Sequence, residues 1–308
     1  MPDPKPEPVP SLAREDADDT RAGIAWLLAD MTLVAIMAAI VKAQGASYPA
    51  VQLVFLRAVV GLLAIAPLVW RHRAEVIGTR RAGRHVLRVA CNALALTGNF
   101  AALAALPLAL VSAIGFTRPL VAMALSVLLL GERVARARWL HAAAALVAVL
   151  VMVAPSGAVW NVGLLAAAAS VLFGSLAVVQ TRALRAESPT VMMVFYTLGL
   201  AVLTAPFAAL SWVAVAADDV PAILCAGLLA QAGQYCFLRA YRAAPASVLA
   251  PVGYLSIVFA AVTGFVVFGE RPSWTMVAGA ALIVVILHRD ARAARRPARS
   301  EERARWKA

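Results

Sequence analysis

Long apolar runs follow one another along almost the whole chain of 308 residues. A membrane helix needs about 20 apolar residues to cross about 30 Å of hydrocarbon, at about 1.5 Å per residue. Runs of that length occur ten times, at 23–43, 50–70, 86–105, 107–129, 137–154, 161–181, 190–213, 220–240, 246–267 and 272–288. The connections between them are short. The pattern therefore predicts an all-α integral membrane protein with ten transmembrane helices.

The apolar pattern also repeats itself at a constant offset of 138 residues. The segments LPLA (106–109) and GER (131–133) return as APAS (244–247) and GER (269–271). Each copy holds five predicted helices, and an odd number forces the second copy to insert upside down relative to the first. The sequence therefore predicts two inverted five-helix repeats. The predicted domains are a disordered cytoplasmic N-terminus (1–22), the two repeats (23–154 and 161–288) and a basic cytoplasmic tail (289–308).

The net charge of +12 is distributed unevenly between the two sides of the membrane. Arginines crowd the connections after predicted helices two, four, six and eight and the tail after helix ten. The opposite connections carry only Lys42 and Arg271, with Asp218 and Asp219 before helix eight. Since cytoplasmic loops are enriched in Lys and Arg, both termini are predicted to be cytoplasmic, in the cell (inner) membrane. This rule accounts for the basic character, so the expected partner is the lipid bilayer and not nucleic acid.

Several classes of chemistry have no basis in the sequence. Cys91, Cys225 and Cys236 all fall inside predicted helices, which argues against a disulfide framework, and no histidine pair has the spacing of metal ligands. No nucleophile has a partner that would make it catalytic. A GxxxxGK[ST] phosphate loop is absent, so this polypeptide does not hydrolyse ATP. We therefore expect no cofactor, no metal and no enzymatic activity.

Three ionisable residues lie deep within predicted helices, where each is costly and needs a reason. They are Asp30 in helix one, Arg57 in helix two and Arg118 in helix four. In a functional interpretation the two arginines recognise a carboxylate or phosphate, and Asp30 is a cation site or the proton acceptor for coupled transport. In the alternative interpretation the three form an internal charge network, with carbonyls freed near Pro119 compensating one arginine.

Polar residues form stripes on the two helices that correspond between the repeats. Asn92 and Asn99 are seven residues apart in helix three, and Gln231, Gln234 and Tyr235 share one side of helix eight. Such stripes suit a wet cavity, although hydrogen bonding between helices is an equal alternative. The remaining candidates are Tyr254 for substrate binding and Pro119 and Pro251 for helix kinks.

These features resemble the tandem EamA repeats of the drug/metabolite transporter superfamily. The strongest matches are LPLALVSAIGFTRPLVAMALSVLLLGER and APASVLAPVGYLSIVFAAVTGFVVFGER, and the resemblance covers roughly residues 22 to 288. It implies a ten-helix basket of inverted repeats around a central cavity that opens to one side at a time. Pro119 and Pro251 depart from this symmetry, since the offset maps Pro119 onto Ile257 and Pro251 onto Ala113.

The implied function is secondary transport of a small metabolite by alternating access. The cavity arginines favour an anionic or zwitterionic substrate, such as an amino-acid-like molecule or a nucleotide derivative, with a proton or another ion as a candidate coupling partner. Two alternatives stay open: a broad exporter of drugs or toxic metabolites, and a membrane receptor or assembly factor that does not transport. Oligomeric state and transport direction are not readable from the sequence.

Overall fold

A computed structural model describes residues 12–71, 81–130, 161–184, 189–244 and 255–271, together with residues 73, 139, 147, 187, 249, 252–253, 274–275, 277–279, 281–282 and 285. Within the continuous ranges the regular structure is helical. Predicted helices five and ten, the first GER turn, the basic tail, Pro251 and Tyr254 lie wholly or mostly outside the described residues.

Nine α-helices make up the described part. They are α1 (Leu12–Gln44), α2 (Ala50–Arg71), α3 (Ala82–Ala105), α4 (Leu108–Gly115), α5 (Arg118–Leu130), α6 (Val162–Ala183), α7 (Pro189–Leu210), α8 (Val220–Ala243) and α9 (Leu255–Phe268). A single 3-10 turn at Ala217–Asp219 precedes α8. Seven spans in this part, with α4 and α5 counted together, are long and apolar enough to cross a membrane. The chain is therefore a multi-pass membrane protein.

Helix α1 begins at Leu12, inside the segment that the sequence predicts to be disordered. The extension LAREDADDT is rich in helix-forming residues, and its acidic residues lie near the positive end of the helix dipole. These local preferences account for a helix that starts well before the apolar run.

The fourth predicted helix is interrupted. Helix α4 ends at Gly115, and α5 starts at Arg118 after two turn residues. Pro119 is the second residue of α5, a position where a missing N–H costs no hydrogen bond. The Thr117 hydroxyl donates to the Ile114 carbonyl at 2.6 Å and so takes up one of the acceptors left at the end of α4. The predicted kink at Pro119 is thus a break that lies just before the proline.

Two helix pairs provide most of the packing, α1 with α8 and α3 with α6. Small residues allow the close approach that membrane helices need. A Cβ added to Gly98 on α3 would lie 2.7 Å from the Ala166 carbonyl oxygen of α6, so the two backbones touch at this glycine. Helices α2 and α7 pack against each other between these pairs, and α9 packs against α4.

Polar contacts gather the helix ends into two opposite faces. The Lys42 face comprises the end of α1, the end of α3, the start of α4, the turn before α8 and the segment after α9, because side chains at these points bond to each other. The Arg88 face comprises the starts of α3 and α7, with Glu187 before α7, and the contact between Gly23 and Ala244. Successive long helices therefore run in alternating directions, as the sequence predicts.

We expect Gly98→Ala to destabilise the protein by about 1 to 3 kcal/mol, because the added methyl group overpacks a contact between two backbones. The thermal unfolding midpoint of purified protein measures this. Gly83→Ala is the matched control: Gly83 also lies in α3, has nothing within 4 Å of an added Cβ, and should gain slightly from better helix propensity. Equal midpoints for the two variants would contradict the close approach.

Candidate functional site

A cavity of about 280 Å³ lies between α1, α4, α8 and α9. Three polar residues line it: Asp30 from α1, Ser112 from α4 and Ser256 from α9. The aromatic side chains of Phe116 and Phe237 line the same space. The cavity thus combines one carboxyl group, two hydroxyls and an otherwise apolar and aromatic wall, a composition typical of small-molecule sites.

The carboxyl group of Asp30 lies against Gly233 of α8. A Cβ added to Gly233 would meet Asp30 Oδ1 at 3.1 Å and Val34 Cγ2 at 3.3 Å, so the absent side chain makes room for the carboxylate. Among the described residues Asp30 has no hydrogen-bond or ion-pair partner. An ionisable group at membrane depth is thereby left facing the cavity.

A polar junction closes the Lys42 face of the bundle next to this cavity. Lys42 Nζ lies 3.0 Å from Glu270 Oε1 and donates to the carbonyls of Leu106 at 2.6 Å and Leu103 at 3.2 Å. Glu270 Oε2 accepts the N–H of Leu108 at 3.0 Å. Leu108 itself lines the cavity, so the same junction that joins the ends of α1, α3 and α9 also holds the cavity wall.

Glycine places Glu270 for this role. Gly269 follows α9 with φ +66°, the left-handed conformation that ends many helices and that glycine adopts without strain. The Glu270 N–H then bonds back to the Gly264 carbonyl at 3.1 Å, and its carboxylate lies over Gly264. The GER turn is therefore a helix terminus that directs a carboxylate to the start of α4, which confirms the structural interpretation of Glu270 over a catalytic one.

A second set of contacts on the Lys42 face joins α1 and α2 to the turn before α8. The Tyr48 hydroxyl donates to Asp219 Oδ2 at 2.6 Å and accepts the N–H of Ala216 at 3.1 Å. The bond to Asp219 raises the pKa of the Tyr48 phenol above its ordinary value. Gln52 exchanges two hydrogen bonds with the backbone of Val213, at 2.7 and 2.9 Å.

The Arg88 face has contacts of its own. Arg88, 6% exposed, donates through Nη2 to the Met192 carbonyl at 2.6 Å. His85 is fully buried, stacks on Phe195 with ring centroids 4.4 Å apart, and lies 3.9 Å from Glu187. These contacts tie α3 to α7 and to the segment that precedes it.

Arg118 lies outside the described lining of the cavity, on the opposite side of the α4–α5 break. Its Nη2 donates to Ser170 Oγ at 3.3 Å, and the guanidinium covers Gly174 of α6. The Arg118 carbonyl accepts the Ser175 hydroxyl at 2.9 Å. The structure therefore uses Arg118 to pack α5 against α6 and does not bring it together with Asp30.

Arg57 lines a separate space of about 10 Å³, enough for about one water molecule. Its neighbours there include Gln44, Phe100 and Ile223. Two of its nitrogens, Nε and Nη1, are buried without a hydrogen-bond partner among the described residues. The three predicted charges thus occupy three different places in the bundle.

The predicted polar stripes divide in the same way. Asn92 donates to the Arg88 carbonyl of its own helix at 3.0 Å, and Gln231 lies 3.4 Å from an added Cβ on Gly61 of α2. Asn99 and Gln234 are half-buried. Tyr235 is 56% exposed and packs edge-on against Trp26 with centroids 6.0 Å apart, so it faces away from the cavity.

Sequence reasoning missed the Lys42–Glu270 pair and the aromatic wall. The pair could have been found, because Lys42 and Glu270 carry opposite charges at helix ends that the predicted topology places on one face. Phe116 and Phe237 gave no comparable indication, since an aromatic residue in an apolar run is equally suited to packing or to lipid contact.

Comparison with known proteins identifies the scaffold. The model of the EamA-like transporter family matches residues 21–154 and 161–287. A pseudopaline exporter of Pseudomonas aeruginosa (strain UCBPP-PA14) is 32% identical over 264 residues, 84% of this chain and 92% of the exporter. A riboflavin transporter of Rhizobium johnstonii is 29% identical over 82% of this chain and 85% of its own length.

Two further similarities are more distant. An S-adenosylmethionine uptake transporter of Rickettsia prowazekii is 23% identical over 263 residues, 85% of this chain and 90% of that protein. A protein of known crystal structure shares the fold with a TM-score of 0.61 at 22% identity, covering 91% of this chain and 98% of its own.

We expect Glu270→Gln to lower the free energy of unfolding by about 1 to 3 kcal/mol, because Lys42 loses its counter-charge while the amide oxygen can still accept the Leu108 N–H. Thermal unfolding of purified protein measures the loss. Asp218→Asn removes one negative charge from an exposed position on the same face and should leave the midpoint unchanged. The Lys42→Met, Glu270→Gln double variant should lose less than the sum of the single changes. Additive losses would contradict a direct interaction.

Proposed function

This chain belongs to the EamA-like transporter family, and we propose that it moves a small metabolite across the membrane by alternating access, without hydrolysing ATP. The observation that carries the proposal is a polar cavity of about 280 Å³ enclosed by membrane-length helices. The relatives named above are an exporter, an uptake transporter and a riboflavin transporter. One scaffold with a variable cavity accounts for such different cargo.

We propose that residues 23–154 and 161–288 are inverted repeats. Two separate matches of the family model support this division. The packing supports it as well, because the offset of 138 residues maps the pair α1–α8 onto α6–α3 and the pair α2–α8 onto α7–α3, and all four pairs are in contact. An exchange of the two halves therefore preserves the arrangement of the helices.

We also propose that the Arg88 face is cytoplasmic, in the cell (inner) membrane, with both termini on that side. Exposed basic residues support this orientation: Arg21, Arg81, Arg84 and Arg239 all lie at helix ends on the Arg88 face. The Lys42 face carries Asp218, Asp219 and Glu270. The Lys42–Glu270 junction then closes the cavity towards the outside, and its rupture is the step that opens it there.

Within this mechanism Asp30 is the proposed proton acceptor, because it is the charged group that faces the cavity. Exchange of the two repeat conformations would open the space equivalent to the cavity, between α3, α5 and α6, where Arg118 lies. We therefore propose the remaining polar residues as substrate contacts in that second conformation: Arg118, Arg57, Asn92, Asn99, Gln231 and Gln234. Tyr235 and Tyr254 are proposed contacts as well, and Pro119 and Pro251 are proposed hinges.

Flux of a radiolabelled metabolite panel into proteoliposomes tests the proposed function. Transport of at least one metabolite above the level of empty liposomes, in the absence of ATP, is expected. Absence of flux for every compound, in either direction, would contradict it.

For the transported compound, Asp30→Asn should abolish substrate-driven proton movement, because the amide cannot take up a proton near neutral pH. A pH-sensitive dye inside the vesicles measures this movement. Asp218→Asn, which changes the same group at an exposed site, is the control and should behave as the wild type. Unchanged proton movement in Asp30→Asn would remove Asp30 from the coupling role.

A further inference from the structure

The charge of the cavity is negative and not positive. Asp30 is the one ionisable side chain among the described residues that line it. Arg118 packs on α6, and Arg57 lines a different, much smaller space. The arginines that favoured an anionic substrate from the sequence therefore do not face this cavity in the conformation described.

An ionised carboxylate at this depth is costly unless a positive charge compensates it. Among the described residues no basic group is paired with Asp30. The carboxylate also approaches the α8 backbone closely at Gly233, where no side chain competes for it. A ligand cation supplies the missing charge, whereas a ligand anion next to Asp30 meets like-charge repulsion.

The rest of the lining suits an organic cation better than a metal ion. A cavity of about 280 Å³ is far larger than a coordination site, and its oxygen donors are limited to one carboxyl group and the hydroxyls of Ser112 and Ser256. Phe116 and Phe237 line the same space, and aromatic rings accommodate organic cations. The hydroxyls can accept N–H groups from an ammonium.

We infer that the cavity between α1, α4, α8 and α9 selects substrates that carry a positively charged nitrogen, which the carboxylate of Asp30 binds. Amines and zwitterions that present their ammonium group to Asp30 fit this site, and simple carboxylates do not. The inference rests on the proposed transport function, since it names the class of cargo that the same cavity takes.

Three ligands that share a phenyl ring and a short chain test the inference. They are 2-phenylethylamine, 2-phenylethanol and 3-phenylpropanoate, which are cationic, neutral and anionic at neutral pH. The dependence of the thermal midpoint of the purified full-length protein on ligand concentration gives each affinity. We expect the amine to bind best and its affinity to fall about ten- to hundred-fold in Asp30→Asn, the loss typical of a removed charge-assisted bond.

Two further variants separate loss of charge from loss of fold. Asp30→Glu keeps the charge and should retain most of the amine affinity. Gly233→Ala keeps Asp30 but crowds its carboxylate, and should weaken the amine more than the alcohol. The control Asp218→Asn should leave all three affinities unchanged.

The inference is overturned if none of the three ligands binds the wild type, if 3-phenylpropanoate binds as well as the amine, or if Asp30→Asn keeps the amine affinity. These outcomes are distinct from failure of the proposed function. Wild-type vesicles that move metabolites without any preference for a cationic group would refute the inference alone. Charge-selective binding without flux of any metabolite would support the cation site and refute transport.

Discussion

The ion pair between Lys42 and Glu270 joins more of this structure than any other described contact. It links the end of α1 to the segment after α9, and its two partners also bond the backbone at the end of α3 and the start of α4. No water is available in the hydrocarbon, so polar links of this kind concentrate at helix ends. Because Leu108 belongs both to this junction and to the cavity wall, the cavity cannot open towards the Lys42 face while the junction holds.

The two halves of the bundle share a scaffold but differ in charge. The offset of 138 residues relates the pair α1–α8 to the pair α6–α3, yet the first pair carries Asp30 beside Gly233 and the second carries the Arg118 guanidinium over Gly174. On one side the space is an open cavity, and on the other an arginine fills it. A duplicated scaffold thus gives a cavity with an asymmetric interior, which a transporter needs if it is to recognise an asymmetric molecule.

Much of the fold follows from the sequence because membrane helices are specified by length and hydropathy alone. The predicted spans agree with α2, α3, α6, α7 and α8 to within a few residues. Contacts between helices were harder to predict. Arg88 was assigned to a basic loop, but its long side chain reaches into the bundle to the Met192 carbonyl. The separation of Asp30 from Arg118 and Arg57 was also out of reach, since depth along a helix is readable from sequence and rotation about its axis is much less so.

The central claim, that the space around Asp30 is an aqueous substrate cavity, is tested most directly by cysteine accessibility. After Cys91, Cys225 and Cys236 are replaced, single cysteines at Ser112 and Ser256 should react in vesicles with a cationic, membrane-impermeant methanethiosulfonate. A cysteine at Val202, which is 62% exposed on the surface of α7, should stay unlabelled because it faces lipid. Labelling at Val202 with no reaction at Ser112 or Ser256 would contradict the account.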